Sequence, residues 1–170
     1  MNLFDSDGNI DAGDFVLDAM GERWAGELCQ DNYLSTGYFS SESQDSDRWL
    51  YYRCRTEGQN TIVYNGSNQV VNVVSHTLFS STGTVQTGTK FEADEKSTAF
   101  WIADLTSAYN GTVLKRGLRL LNGRKQVLIQ DEITNGAAMS QWRMHTNATV
   151  AYSKDNKTAR KLNQFIPTTH

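Results

Sequence analysis

The chain has 170 residues, of which 38% are hydrophobic and 21% charged, with a net charge of −3. That size suits one domain with its own hydrophobic core, and the composition excludes a disordered chain. Without a basic face nothing points to nucleic acid, and no apolar run approaches the ~18 residues of a membrane helix, so neither nucleic acid nor membrane is an expected partner.

In chain order, the first segment is polar and acidic. Met1 to Gly8 carries no signal peptide, so the chain at face value reads as cytoplasmic. Asp5-Ser6-Asp7-Gly8-Asn9-Ile10-Asp11-Ala12-Gly13-Asp14 fits part of a calcium loop, with Asp5, Asp7 and Asp14 as ligands. Leu3 at the first ligand position and the short Asp14 at the last count against it. The alternative is a polar loop leading into a strand at Phe15.

Short runs rich in Val, Ile, Tyr, Phe, Trp and Thr then alternate with Gly, Asn, Ser and Asp clusters. This predicts strands at Phe15 to Met20, Arg23 to Glu27, Trp49 to Arg55, Thr61 to Tyr64, Val70 to Leu78, Thr98 to Ile102, Lys115 to Leu121, Gln126 to Gln130, Gln141 to His145 and Thr149 to Tyr152. Ser40 to Asp47 is a surface loop, and Asp104 to Tyr109 is long enough for one helical turn. Asn122-Gly123 between apolar strands predicts a two-residue hairpin turn, because both residues accept positive φ. Further reversals are expected at Gly66, Gly83, Gly88 and Thr134-Asn135-Gly136, and a frayed tail over about 162–170. The expected fold is an all-β, antiparallel multi-stranded β-sandwich forming a single domain over 1–170.

Cys29 and Cys54 match no metal knuckle; a disulfide and two free thiols are both open. Four Asn-x-Ser/Thr sequons, at Asn65, Asn110, Asn147 and Asn156, hint at a secretory pathway. On the predicted strand from Trp49, side chains at Tyr51, Arg53 and Arg55 would share one face. Such a face could hold a sugar carboxylate, since Arg binds carboxylates through two parallel hydrogen bonds. The plainer reading is a solvated strand face paired to neighbouring acids. In Trp142-Arg143-Met144-His145-Thr146 the like charge of Arg143 would lower the pKa of His145, as suits a general base. A structural histidine at a strand end is the competing reading. His76 and His170 belong to no constellation, and no phosphate loop, nucleophile elbow or HExxH motif occurs.

Several stretches in order resemble one family. They are Asn9-Ile10-Asp11-Ala12-Gly13-Asp14-Phe15-Val16-Leu17-Asp18-Ala19, Gly21-Glu22-Arg23-Trp24-Ala25, Arg48-Trp49-Leu50-Tyr51-Tyr52-Arg53 and Thr56-Glu57-Gly58-Gln59-Asn60-Thr61. Later come Asp104-Leu105-Thr106-Ser107-Ala108-Tyr109, Lys115-Arg116-Gly117, Asp131-Glu132 and Trp142 to Thr146. Together, from Asn9 to about Thr149, they resemble the heparinase II/III-like domain of polysaccharide lyases. The resemblance implies a super-sandwich β domain that packs on a helical toroid, with the cleft between them. It also implies β-elimination on an acidic, uronic-acid-containing polysaccharide. In that reaction a metal, Arg or amide donors neutralise the sugar carboxylate, and a Tyr or His removes the C5 proton.

The chain has no room for the toroid, so it is expected to be a fragment of a longer, secreted or cell-envelope protein that lacks its N-terminal helical partner. Some members bind zinc through a His, an Asp and a second His. The matching positions here are Asn9, Glu27 and Gln59, a degraded set for zinc. Asn9 and Gln59 could instead donate hydrogen bonds to a uronate, with Arg53 and Arg55 as further binding residues and His145, Arg143 and Tyr51 as catalytic candidates. A non-catalytic carbohydrate-binding module is the alternative function.

Overall fold

The computed structural model describes residues 8–29, 31–81, 99–134 and 139–162. Among the described residues the fold is all-β: ten strands form antiparallel sheets, and the helical turns are short 3-10 segments. The largest sheet has four strands in the order β4 (His76–Ser80), β5 (Phe100–Asp104), β6 (Val113–Leu121) and β7 (Gln126–Thr134). Three two-stranded ribbons complete it: β1 (Leu17–Ala19) with β2 (Glu22–Ala25), β3 (Ile62–Tyr64) with β8 (Ser140–Trp142), and β9 (Thr149–Tyr152) with β10 (Ala159–Leu162).

Alternation along β6 sets what the large sheet buries. Leu114 and Arg116 point inward and are fully buried, while Lys115 between them is exposed. Leu114 joins Ile62, Ala103, Leu105, Ala108 and Tyr109 in the main core, against which Ala12, Trp101 and Ile133 pack. A second cluster unites Ile10, Tyr38, Trp49 and Cys54. The backbone N–H of Ile10 bonds the carbonyl of Cys54 at 2.9 Å, fastening the N-terminal segment to that cluster.

The predicted strand over Trp49 to Arg55 does not form. Asp47–Leu50 and Thr56–Gly58 are 3-10 turns, and the residues between them form a further turn flanked by bends. The N–H groups of Trp49, Tyr51, Cys54 and Arg55 bond back to the carbonyls of Ser46, Arg48, Tyr51 and Tyr51, so these donors are not offered to a neighbouring strand. Ser46 caps the first turn by accepting from the Arg48 N–H. The Arg48 guanidinium stacks on the rings of Tyr38 and Trp49 at 4.8 and 5.3 Å. Local capping and stacking override the β propensity of the Trp-Leu-Tyr-Tyr run.

Other boundaries differ less. The strand expected over Val70 to Leu78 begins only at His76, and the one expected to reach His145 stops at Trp142. The helical turn is the 3-10 segment Thr106–Tyr109, closed by Asn110 in the left-handed region. The β6–β7 hairpin exists, but its loop has four residues, because Leu121 pairs with Gln126. Asn122, Gly123 and also Arg124 take positive φ there. Strand β10 was not expected from the sequence and begins just ahead of the predicted frayed tail. Cys29 is exposed, Cys54 is buried, and both are free thiols. The reversals expected at Gly83, Gly88 and Asn135-Gly136 lie outside the described residues, as does the tail beyond residue 162.

Candidate functional site

Asn60 is the fixed point of the site. It is fully buried directly after the second 3-10 turn. Its side-chain nitrogen donates to the carbonyls of Phe15 and Gly26 at 2.8 and 3.1 Å. Its backbone N–H donates to the Asp14 carboxylate, and its carbonyl accepts from Arg116 at 2.7 Å. Its side-chain oxygen accepts the backbone N–H of His145 at 2.6 Å. One residue thus joins the N-terminal loop, the end of β2, the core of the large sheet and the segment after β8.

That last segment carries the chemistry. His145 Nδ1 lies 3.2 Å from Asn60 Oδ1, and its Nε2 lies 3.0 Å from the hydroxyl of Tyr52. Burial and the neighbouring Arg143 charge hold the His145 pKa below its ordinary value, so the ring is neutral near neutral pH. Arg143 donates to Glu57 at 3.0 Å and reaches the Tyr52 hydroxyl at 3.5 Å. Glu57 also pairs with Arg55, whose guanidinium lies 5.8 Å from the Tyr52 ring centroid. Two cations therefore share one carboxylate beside a half-exposed phenol and a neutral imidazole. An open depression of about 450 Å³, lined by Gln141, Trp142, Arg143, Met144 and His145, adjoins them.

The sequence points to His145 and Arg143, and the structure brings them together with Arg55 through Glu57. It does not bring in Tyr51 and Arg53, because the strand face that would group them is absent. The Tyr51 hydroxyl donates to the carbonyl of Thr36, and Arg53 donates to the carbonyl of Leu28 at 2.9 Å. Tyr52 and Asn60 are site residues that the sequence alone does not single out. Both lie in the stretches that carry the family resemblance, but no residue pattern there marks them for a role.

A second polar cluster lies under the N-terminal loop. Burial, then the charges of Asp14 and Glu27, push the Asp11 carboxyl up to about 6. Burial also raises Asp14, opposed by the backbone N–H groups of Asn60 and Phe15. Gln59 is buried and donates to the Arg53 carbonyl at 2.7 Å. Its Oε1 and the buried Oδ1 of Asn9 have no hydrogen-bond partner among the described residues. Asp5 and Asp7 of the expected calcium loop lie outside the described residues, and Asp14 already serves the Asn60 N–H. His76 sits on β4 opposite Asp104, away from either cluster's hydrogen bonds, and His170 lies outside the described residues.

The model of the family described as heparinase II/III-like, C-terminal, matches residues 5–166. The chain belongs to that family. No curated protein matches it. In this heparinase II/III-like domain Asn9, Glu27 and Gln59, which the resemblance matches to the zinc set of some members, are a poor donor set for zinc. Two of the three are amides, where the ion prefers imidazole, thiolate and carboxylate, and only Glu27 is a usual ligand. Among the described residues, no three His, Cys, Asp or Glu side chains are grouped to hold a metal.

Proposed function

We propose that this heparinase II/III-like domain supplies one wall of a lyase cleft that cleaves an acidic, uronic-acid-containing polysaccharide by β-elimination, and that it does not turn over alone. The observation that supports the reading is His145 beside Arg143 and Tyr52 on an open surface. β-Elimination needs a cation to neutralise the C5 carboxylate and a base to take the C5 proton. Arg143 and Arg55 together outnumber Glu57, leaving positive charge for the carboxylate. The other wall would come from an N-terminal helical domain of the longer protein. A polymer substrate of this kind places the whole protein outside the cell or in its envelope. The exposed positions of Asn65, Asn110, Asn147 and Asn156 agree with that location.

The test is the ultraviolet absorbance of the unsaturated uronate that elimination creates. This chain and a version extended upstream are assayed against a panel of uronic-acid polysaccharides. Absorbance from the extended protein alone is the expected result. Absorbance from neither, with sugar binding retained by this chain, would establish the second reading, a non-catalytic carbohydrate-binding module. The specific observation favouring that reading is the pair of amides, Asn9 and Gln59, at positions where zinc-binding members carry histidines.

A further inference from the structure

We propose that Tyr52, His145 and Asn60 form a proton relay of fixed polarity, in which the Tyr52 oxygen meets the substrate and His145 stores the proton. The polarity follows from Asn60. Its nitrogen faces two carbonyl oxygens, of Phe15 and Gly26, and its oxygen faces the backbone N–H of His145. Turning the amide over would set oxygen against two carbonyls and nitrogen against an N–H donor, so its orientation is determined by its surroundings. Asn60 Oδ1 can only accept. The Nδ1 atom 3.2 Å away therefore carries the proton of the neutral ring, and Nε2 is bare. Nε2 can then only accept, and the Tyr52 O–H donates to it across 3.0 Å. Arg143 donates to the same Tyr52 oxygen at 3.5 Å.

Tyr52 has the exposure the role requires. It is 41% exposed, whereas Asn60 is wholly buried and His145 is half-buried. The charged groups around the relay are Arg143 beside both rings, Arg55 over the Tyr52 ring, and Glu57 between the two arginines. Tyr52 is the catalytic residue of this relay, and His145 and Asn60 position it and hold its proton.

The catalytic part rests on the lyase reading. The Tyr52 oxygen takes the C5 proton while its own proton passes to His145 Nε2. The C5–H electron pair becomes the C4–C5 double bond, and the C4–O bond breaks with its pair on oxygen. The proton on Nε2 then returns through Tyr52 to that oxygen, leaving an unsaturated uronate, a free hydroxyl and the relay in its starting state.

Two measurements separate the relay from the lyase reading. The first uses the 170-residue chain labelled with 15N, and long-range proton–nitrogen correlation of the imidazoles above the His145 titration. The three histidines are assigned with His145→Gln. The expected spectrum has the His145 proton on Nδ1, and Tyr52→Phe shifts the Nε2 resonance while leaving that proton in place. A proton on Nε2 in the unsubstituted chain, or no response to Tyr52→Phe, overturns the relay whatever the protein does to sugars. The second uses the upstream-extended protein with the ultraviolet assay. Tyr52→Phe is expected to lower kcat by about 100-fold or more with little change in KM. Turnover that survives Tyr52→Phe overturns the catalytic role of Tyr52 and leaves the lyase reading intact. Absence of turnover in the unsubstituted extended protein overturns the lyase reading, while the imidazole spectrum still decides the polarity.

Discussion

Replacing Asp11 by Asn should stabilise the domain at neutral pH. The Asp11 carboxyl is raised from 3.8 to about 6, first by burial and then by the charges of Asp14 and Glu27. A tenfold change in proton affinity corresponds to about 1.4 kcal/mol, so ionised Asp11 costs the fold about 3 kcal/mol at most. The side chain is partly exposed, and solvent screening brings the expected gain to about 1.5 kcal/mol. The sign follows from linkage. The folded state holds the Asp11 proton more tightly than the unfolded chain, so this contribution to stability is full below pH 3.8 and is lost as pH rises through about 6. Asparagine mimics the protonated acid and loses nothing. Urea unfolding of both proteins should therefore give nearly equal midpoints at about pH 4 and a higher midpoint for Asp11→Asn at about pH 7.5. A variant no more stable than its parent at the higher pH, with equal slopes, would refute the reasoning.

Arg116→Met should cost about 3–5 kcal/mol. It strands the nearly buried Asp131 carboxylate and leaves the carbonyls of Gly13 and Asn60 without their donor, which a thermal melt would read directly. Gly58→Ala should destabilise by about 1–3 kcal/mol, because an added Cβ would overlap the carbonyl oxygen of Tyr52. The same change should disturb the Tyr52–His145 contact, visible as a shifted His145 Nε2 resonance. Asn9→His combined with Gln59→His should create a zinc site with Glu27, raising the melting temperature on addition of zinc; the parent protein should show no such rise. If the double variant fails to respond, those three positions do not face one another.

The parts of this fold that depend on short-range chemistry are legible in the sequence. Asn122-Gly123 marks the β6–β7 hairpin because Asn and Gly tolerate positive φ, and Asp104 to Tyr109 reads as a single helical turn. The stretch from Arg48 to Arg55 misleads because, beside the local Ser46 cap, several of its side chains are engaged by contacts distant in sequence. Tyr38 stacks on Arg48, Thr36 takes the Tyr51 hydroxyl, and Leu28 takes Arg53. A strand-face argument also favours Tyr51 over Tyr52. In a bend the two side chains diverge, and the neighbour that reaches His145 is the one that alternation places on the apolar face. The β10 strand escapes notice because Ala159-Arg160-Lys161-Leu162 lacks β-branched and aromatic residues and forms by pairing with β9.

The residues of the family resemblance divide by what they touch. Arg116 comes from the inner face of β6 and is held by Asp131, its direct cross-strand partner on β7. Committing two guanidinium bonds to that carboxylate fixes the plane of the group. The remaining nitrogen is then aimed at the carbonyls of Gly13 and Asn60, at 2.6 and 2.7 Å. Arg116 and Asp131 thus belong to the site without reaching its surface. They transmit the register of the large sheet to Asn60, and Asn60 transmits it to His145. A buried ion pair is a weak source of net stability, since desolvating both charges offsets much of their attraction. Its use here is positional: it lets a sheet some distance from the open surface decide which nitrogen of His145 carries the proton.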